Sequence, residues 1–301
     1  MFHRTPIMFE TAKTSLFSWR GFLFLPILIF LSCATSGAVN QNPAVFSSIE
    51  NAAPDWRQIA EGVSYFQGKI SNPRIEFYAL KIDLSVTRII IKPGAENPQD
   101  GSVLSVKVST FVRENNLAAG INALPFDVIT AQEKLPVKNA GLVISSGKLL
   151  SPPNPNYDAI VFFREGDAAI VSQSSVQSIE NIDQAAGGFH KILEAGHPAQ
   201  RTENREDRHP RSAAGISDNG NVLYLLVIDG RRAASAGGTE RETALLLRAL
   251  GCRDGINLDG GGSSAMALRF PDGSVRTVNT PVHGGIPGRE RPVAGCIGVS
   301  R

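Results

Sequence analysis

Val222-Leu223-Tyr224-Leu225-Leu226-Val227-Ile228, ending at Asp229-Gly230, then Thr239-Glu240-Arg241-Glu242 with ALLLRAL behind it, and finally Gly255-Ile256-Asn257-Leu258-Asp259-Gly260-Gly261-Gly262-Ser263-Ser264, form the stretch that decides the fold. The first run is short, apolar and partly β-branched, which predicts a buried strand. Thr-x-x-Glu is the form of a capping box, the next seven residues favour helix, and Gly251 stands where a C-terminal cap belongs. Gly255 to Leu258 predicts a second buried strand that runs straight into Asp259. Strand, helix and strand thus carry Asp229 and Asp259 to strand ends, on one edge of a sheet if the two strands are parallel.

Upstream, Gly62–Phe66, Arg74–Asp83 and Arg88–Ile91 suit strands of a meander, and Ser105–Asn116 has the apolar spacing of a short amphipathic helix. Gly120–Phe126 predicts a strand entering a loop. Gly141–Ser145, Asp158–Arg164 and Ala168–Ser172 predict further strands, separated by turns such as Ser146-Gly147 and Glu165-Gly166-Asp167. Gly196–Pro210 is polar, charged and bounded by proline, the composition of a surface loop or flap. The expected fold class is mixed α+β: a largely β core with a few helices and a strand-helix-strand unit carrying the Gly-rich site loop.

The N-terminus reads as an export signal. Arg4, Lys13 and Arg20 precede the apolar run Gly21–Leu31, too short to span a bilayer as a helix, and Ser36-Gly37-Ala38 offers a small-x-small cleavage site. Residues 1–38 are therefore expected to be a signal peptide, 39–55 a tether, and 56–301 one folded domain, periplasmic or secreted. Cys33 is the alternative end of the leader, as a lipidated residue, and an uncleaved membrane anchor is a further alternative; any membrane attachment would be through the N-terminus only. In an exported chain the remaining Cys252 and Cys296 are a candidate disulfide, or two separate buried thiols.

At 42% hydrophobic and 19% charged residues the chain is an ordinary globular one, and its net charge of +2, with no basic block, gives no reason to expect nucleic acid. The five histidines form no metal-binding pair on a helix turn and there is no Cys-x-x-Cys, so neither a metal nor a cofactor is expected.

Three glycines after a buried strand can expose successive N–H groups as an anion-binding nest. The spacing fits neither the P-loop nor the dinucleotide fingerprint. A tight turn would need glycines too, but Asp before and Ser-Ser after the triplet favour a site.

The segments Val227–Arg231, Ser235–Glu242, Leu250-Gly251 and Asn257–Ser264 closely resemble the phosphodiester glycosidase family. Further matches frame them in order: Ile121-Asn122 with Phe126, Gly141-Leu142-Val143 with Gly147, His209–Gly215, and Val278-Asn279 with Glu290–Val293. One departure is Ala123-Leu124 after Asn122, where the family places glycines. The resemblance implies hydrolysis of a sugar C1–O–phosphate linkage in a sugar phosphodiester or cell-envelope glycan, releasing free sugar and a phosphomonoester. Such cleavage needs a carboxylate at an oxocarbenium-like carbon, while phosphate leaves as an anion and asks for cationic and N–H donors. Asp259 is the first candidate carboxylate and Asp229 the second, with a turn-closing role open for Asp229. Arg211, the Gly260, Gly261 and Gly262 amides and Ser263, next to Ser264, are assigned to the developing charge, with Arg291 beside them. Glu242 matches the pattern but fits its capping box better. Asn122 and Asn257 are candidates for sugar hydroxyls, or for backbone in a buried turn. The competing reading is a non-catalytic exopolysaccharide-binding or polysaccharide-biosynthesis accessory protein of the same fold.

Overall fold

The computed structural model describes residues 54–93 and 102–301. The expected leader, Cys33 and most of the tether lie outside the described residues. Those described all fall within a single structural unit that runs to Arg301.

Eight strands form an antiparallel sheet in the spatial order Arg57–Ala60, Val63–Ile70, Ile75–Asp83, Val222–Ile228, Arg211–Ile216, Asp254–Asn257, His190–Glu194, His197–Pro198. A five-stranded sheet, with Ala119–Asn122, Met266–Arg269 and Gly295–Val299 among its strands, packs against it, and a second one, with Ile182–Gly187 at its centre beside Asp158–Phe163, meets both. Leu80, Ile82, Leu225, Ile256, Ile121, Ile297 and Ile160 share the core between the three sheets. The helix Glu240–Leu250 lies on the outer face of the large sheet, burying Ala244, Leu246, Leu247 and Leu250 against Phe77, Leu226 and Ile228. The helix Val108–Glu114 does the same for the five-stranded sheet through Val108, Phe111 and Val112.

This layering explains the unbroken apolar run. Leu223, Leu225 and Val227 face the shared core, while Tyr224, Leu226 and Ile228 face the helix, so neither face of that strand meets water. Each such fully buried aliphatic side chain contributes roughly 1.5–3 kcal/mol. The capping box is formed in full: the Thr239 hydroxyl accepts from the Glu242 amide and the Glu242 carboxylate from the Thr239 amide. Gly251 closes the helix at φ 111°, a conformation that a side chain would strain.

The two strands flanking this helix run in the same direction but are not neighbours. Arg211–Ile216 lies between them and is antiparallel to both, pairing Arg211 with Ile228 and Ala213 with Asn257. The Ser105–Asn116 helix is shorter than its apolar spacing suggests, because Val103-Leu104 pairs with Pro136-Val137 and holds the preceding chain extended.

Cys252 and Cys296 are not joined. Both are free and buried: Cys252 packs outside the large sheet against Gly215, and Cys296 lies outside the five-stranded sheet beside the shorter helix. Two sheets and the core between them, roughly 10 Å from sheet to sheet, separate thiols that would need Cα atoms within about 7 Å. Burial pushes both thiols well above their ordinary range. Thiol titration of the folded protein is expected to find neither residue reactive, and denaturation without reductant to release both. A reading of none after denaturation would contradict this arrangement.

Candidate active site

Three strand ends meet at one edge of the large sheet. Ile228 leads out to Asp229, Asn257 leads out through Leu258 to Asp259, and Arg211 opens the strand between them. Leu258 still donates to the Ser212 carbonyl at 2.9 Å, so Asp259 leaves the sheet directly opposite the start of that central strand.

The chain then folds into one turn of 3-10 helix over Gly261–Ser263. Gly261 takes φ 61° and donates to the Pro210 carbonyl at 2.8 Å, while Ser263 and Ser264 donate to Gly260 and Gly261. The triplet is thus a tight turn rather than an open nest: the Gly261 amide is engaged within the protein, and the Gly260 amide serves the Asp259 carboxylate. Its glycines also make room for arginines. A Cβ on Gly261 would stand 3.2 Å from the Arg231 guanidinium, and one on Gly262 would collide with that of Arg291.

Asn122 is the staple of this loop. Fully buried, it donates to the Asp259 carbonyl at 2.6 Å and accepts from the Ala265 amide at 3.1 Å and the Ser212 hydroxyl at 2.7 Å, tying both loop ends to the central strand. It is spent on the backbone rather than on a sugar.

Asp229 is likewise committed. At 1% exposure its carboxylate accepts from Arg232 at 2.7 Å, from the Asn279 amide at 2.9 Å and from the Thr280 N–H at 3.1 Å, although burial still pushes its pKa up. Asn279 in turn donates to the Ser264 carbonyl and accepts from the Met266 amide, so Asp229 braces the glycine loop from below. Arg211 reaches the other way: Nε and the Nη2 amino group donate to the Gly238 and Asp207 carbonyls, and Nη1 lies 3.7 Å from Glu240. Glu242 forms a double contact with Arg208, at 2.6 and 2.7 Å, besides its capping role. With Arg205 bonded to Glu240 at 3.1 Å, these contacts strap the Gly196–Pro210 segment onto the helix start.

Asp259 differs from Asp229 and Glu242. Its Oδ2 is buried and has no hydrogen-bond partner, and burial pushes its pKa up to about 6 against the opposing pull of the Ser263 hydroxyl, the Arg291 charge and the Gly260 amide. Arg291 donates through Nη1 to the Ser263 hydroxyl and through Nε to Nδ1 of His283, both at 3.2 Å, which fixes its guanidinium beside the loop. An acid held near neutrality beside Arg291, with the Arg231 guanidinium over Gly261, brings a carboxyl and cationic donors to one loop, the kind of perturbed cluster that collects at functional sites. Among the described residues no group of three His, Cys, Asp or Glu is arranged to hold a metal.

The sequence profile of the phosphodiester glycosidase family matches residues 115–300, which includes all of these residues. The chain belongs to that family. No curated protein matches it. Among solved structures, the catalytic domain of zebrafish N-acetylglucosamine-1-phosphodiester alpha-N-acetylglucosaminidase, auto-inhibited by its pro-peptide, aligns with a TM-score of 0.61 at 19% identity, over 79% of this chain and 83% of that one. A Synechocystis protein aligns with a TM-score of 0.56 at 16% identity, over 82% of this chain and 64% of that one. At these identities the likeness is one of fold.

Sequence reasoning left Arg231 and His283, which the fold brings to this loop, without roles. Arg231 carries its own signal, since a non-glycine residue at φ 59° directly after Asp-Gly occupies a conformation that costs energy and collects at functional sites. His283 has none, being brought to Arg291 only by the hairpin Val282–Pro287.

Gly262→Ala is expected to leave the fold intact, because the new methyl meets the movable end of Arg291 before it meets the Val282 carbonyl at 3.1 Å. It is expected to displace Arg291 and reduce turnover by about 10- to 100-fold. Wild-type turnover in a folded Gly262→Ala variant would show that the position of Arg291 is immaterial.

Proposed function

We propose that this exported chain is a hydrolase that cleaves the sugar C1–O–phosphate bond of a glycosyl phosphodiester, with Asp259 as the carboxylate at the reacting carbon. The observation that supports this most is the unpartnered, buried Oδ2 of Asp259, in an acid pushed up to about 6 beside Arg291. Above that pH the carboxylate is charged and stabilises the positive carbon that forms as the C1–O bond lengthens. The bond's electron pair leaves with the phosphate oxygen, and Arg291, Arg231 and the Ser263 hydroxyl take up the departing charge. Water supplies the hydroxyl that completes the free sugar, and its proton passes to the phosphomonoester or to solvent. The phosphate is a good leaving group already, so cationic side chains outnumber acids around the loop.

The test is release of reducing sugar by purified protein from a panel of sugar-1-phosphodiesters, with Asp259→Asn and Arg291→Ala as controls. Activity in wild type that both folded variants lack supports the assignment. Glycan binding without turnover of any panel member replaces it with the accessory binding protein.

A further inference from the structure

Outside the glycine loop, three buried polar atoms without a partner lie together on the helix-covered face of the large sheet, beside the same edge: His190 Nδ1, Asn257 Oδ1 and Glu240 Oε2. His190 and Asn257 are register partners on neighbouring strands, so their side chains stand on one face with Cβ atoms about 5 Å apart. The next register partner of Asn257, Ala213, packs into the cluster under the helix, which settles which face that is. Glu240, the first residue of that helix, is close enough to His190 to raise its proton affinity. Asn257 and Glu240 are each 95% buried. Leaving such atoms unpaired carries an uncompensated desolvation cost, and a cost of that kind at three points near one edge suits a place made for a ligand.

The chemistry of the three atoms sets what the ligand is. Asn257 Oδ1 and Glu240 Oε2 only accept hydrogen bonds while Glu240 is ionised, so they repel a phosphate and select O–H donors. Burial, ahead of the Arg201 and Arg205 charges, lowers the pKa of His190 and favours a neutral ring that can donate or accept at Nδ1. Arg205 and Arg211 both hold Glu240 by its other oxygen, which aims Oε2 at the cluster. Arg205 and Arg211 also belong to, or hold, the Gly196–Pro210 segment, through the contacts to Glu240 and Asp207.

We propose that His190, Asn257 and Glu240 form the subsite for the hydroxyl groups of the sugar, so that the substrate lies with its pyranose toward the helix start and its phosphate toward Arg231 and Arg291, with Asp259 between. The assignment rests on the glycosidase reading of the same edge. Asn257 stands two residues ahead of Asp259 on one strand, so a ring held by Asn257 presents its anomeric carbon within one sugar length of the carboxylate.

The experiment titrates wild type, Asn257→Ala, Glu240→Gln and Arg291→Ala with methyl glycosides of glucose, galactose, mannose and N-acetylglucosamine, following binding by saturation-transfer NMR, and separately with inorganic phosphate, following its 31P line width. The expected result is at least one glycoside bound by wild type about tenfold more tightly than by either subsite variant, with phosphate affinity unchanged in those two and lost in Arg291→Ala. Turnover should follow, with KM raised more than kcat is lowered in the subsite variants. His190→Gln replaces Glu240→Gln if the latter does not fold. No glycoside bound by wild type, or equal glycoside affinity in the folded variants, overturns the subsite. If the binding pattern holds but Asp259→Asn still turns over substrate, the proposed reaction falls and the subsite stands; if Asp259→Asn is inactive but glycoside affinity ignores Asn257, only the subsite falls.

Discussion

Asp259→Asn is expected to lose turnover by about a thousandfold and, at the same time, to be more stable than the wild type above pH 6. The first effect follows from the role proposed for Asp259, the carboxylate at the reacting carbon. The second follows from counting protons. The folded protein holds the Asp259 proton up to about pH 6, whereas the unfolded chain releases it near 3.8, so as pH rises through this window the unfolded state binds fewer protons and stability falls. Below about pH 3 both states are protonated and the penalty is absent; above about pH 6 it is complete, at roughly 1–3 kcal/mol. Asparagine mimics the protonated acid at every pH. Denaturant unfolding at pH 3 and pH 7.5 should therefore show equal stability at the lower value and a more stable variant at the higher. A variant less stable at pH 7.5 would mean that the carboxylate is a structural ion-pair partner and not a strained functional one.

Asp229→Ala is expected to behave in the opposite way, losing about 3–5 kcal/mol of stability at neutral pH. The substitution strands the Arg232 guanidinium, the Asn279 amide and the Thr280 N–H, all now bonded to a carboxylate at 1% exposure. Since single domains of this kind are stable by only some 5–15 kcal/mol, much of the margin goes. Loss of activity should track loss of folded protein, as read by a denaturation midpoint beside turnover per folded molecule. An Asp229→Ala protein that is as stable as wild type but inactive would give Asp229 the catalytic role that its hydrogen bonds argue against. The pair of variants separates two aspartates that look alike in sequence, each following an apolar strand and preceding glycine.

Much of the site's scaffold was legible from local spacing. The capping box at Thr239, the terminal Gly251 and the apolar strands on either side are statements about neighbours in the chain, and short-range chemistry enforces them wherever the segment lands. The glycine loop was legible as special because Asp-Gly-Gly-Gly-Ser-Ser requires a turn that a side chain would block. What spacing left open was which lone pairs remain free. Arg211 and the loop amides suit an anion by type, yet Arg211 is taken by the Gly238 and Asp207 carbonyls and the Gly261 amide by Pro210. Of the two readings of Cys252 and Cys296, separate buried thiols hold rather than the disulfide, for a related reason: two cysteines left once Cys33 is set aside carry no information about which side of a sheet each one faces.

The sequence by itself determined a largely β domain with Asp259 leaving a buried strand into a glycine turn, because those features are set by periodicity, caps and turn residues within a few positions of one another; the family came from the resemblance of its motifs. Only the tertiary structure decided that Asp259 keeps an unpaired oxygen while Asp229 and Asn122 do not. Those outcomes depend on Asn279, Ala265 and Ser212, partners 50, 143 and 90 positions away that meet only when the sheets pack.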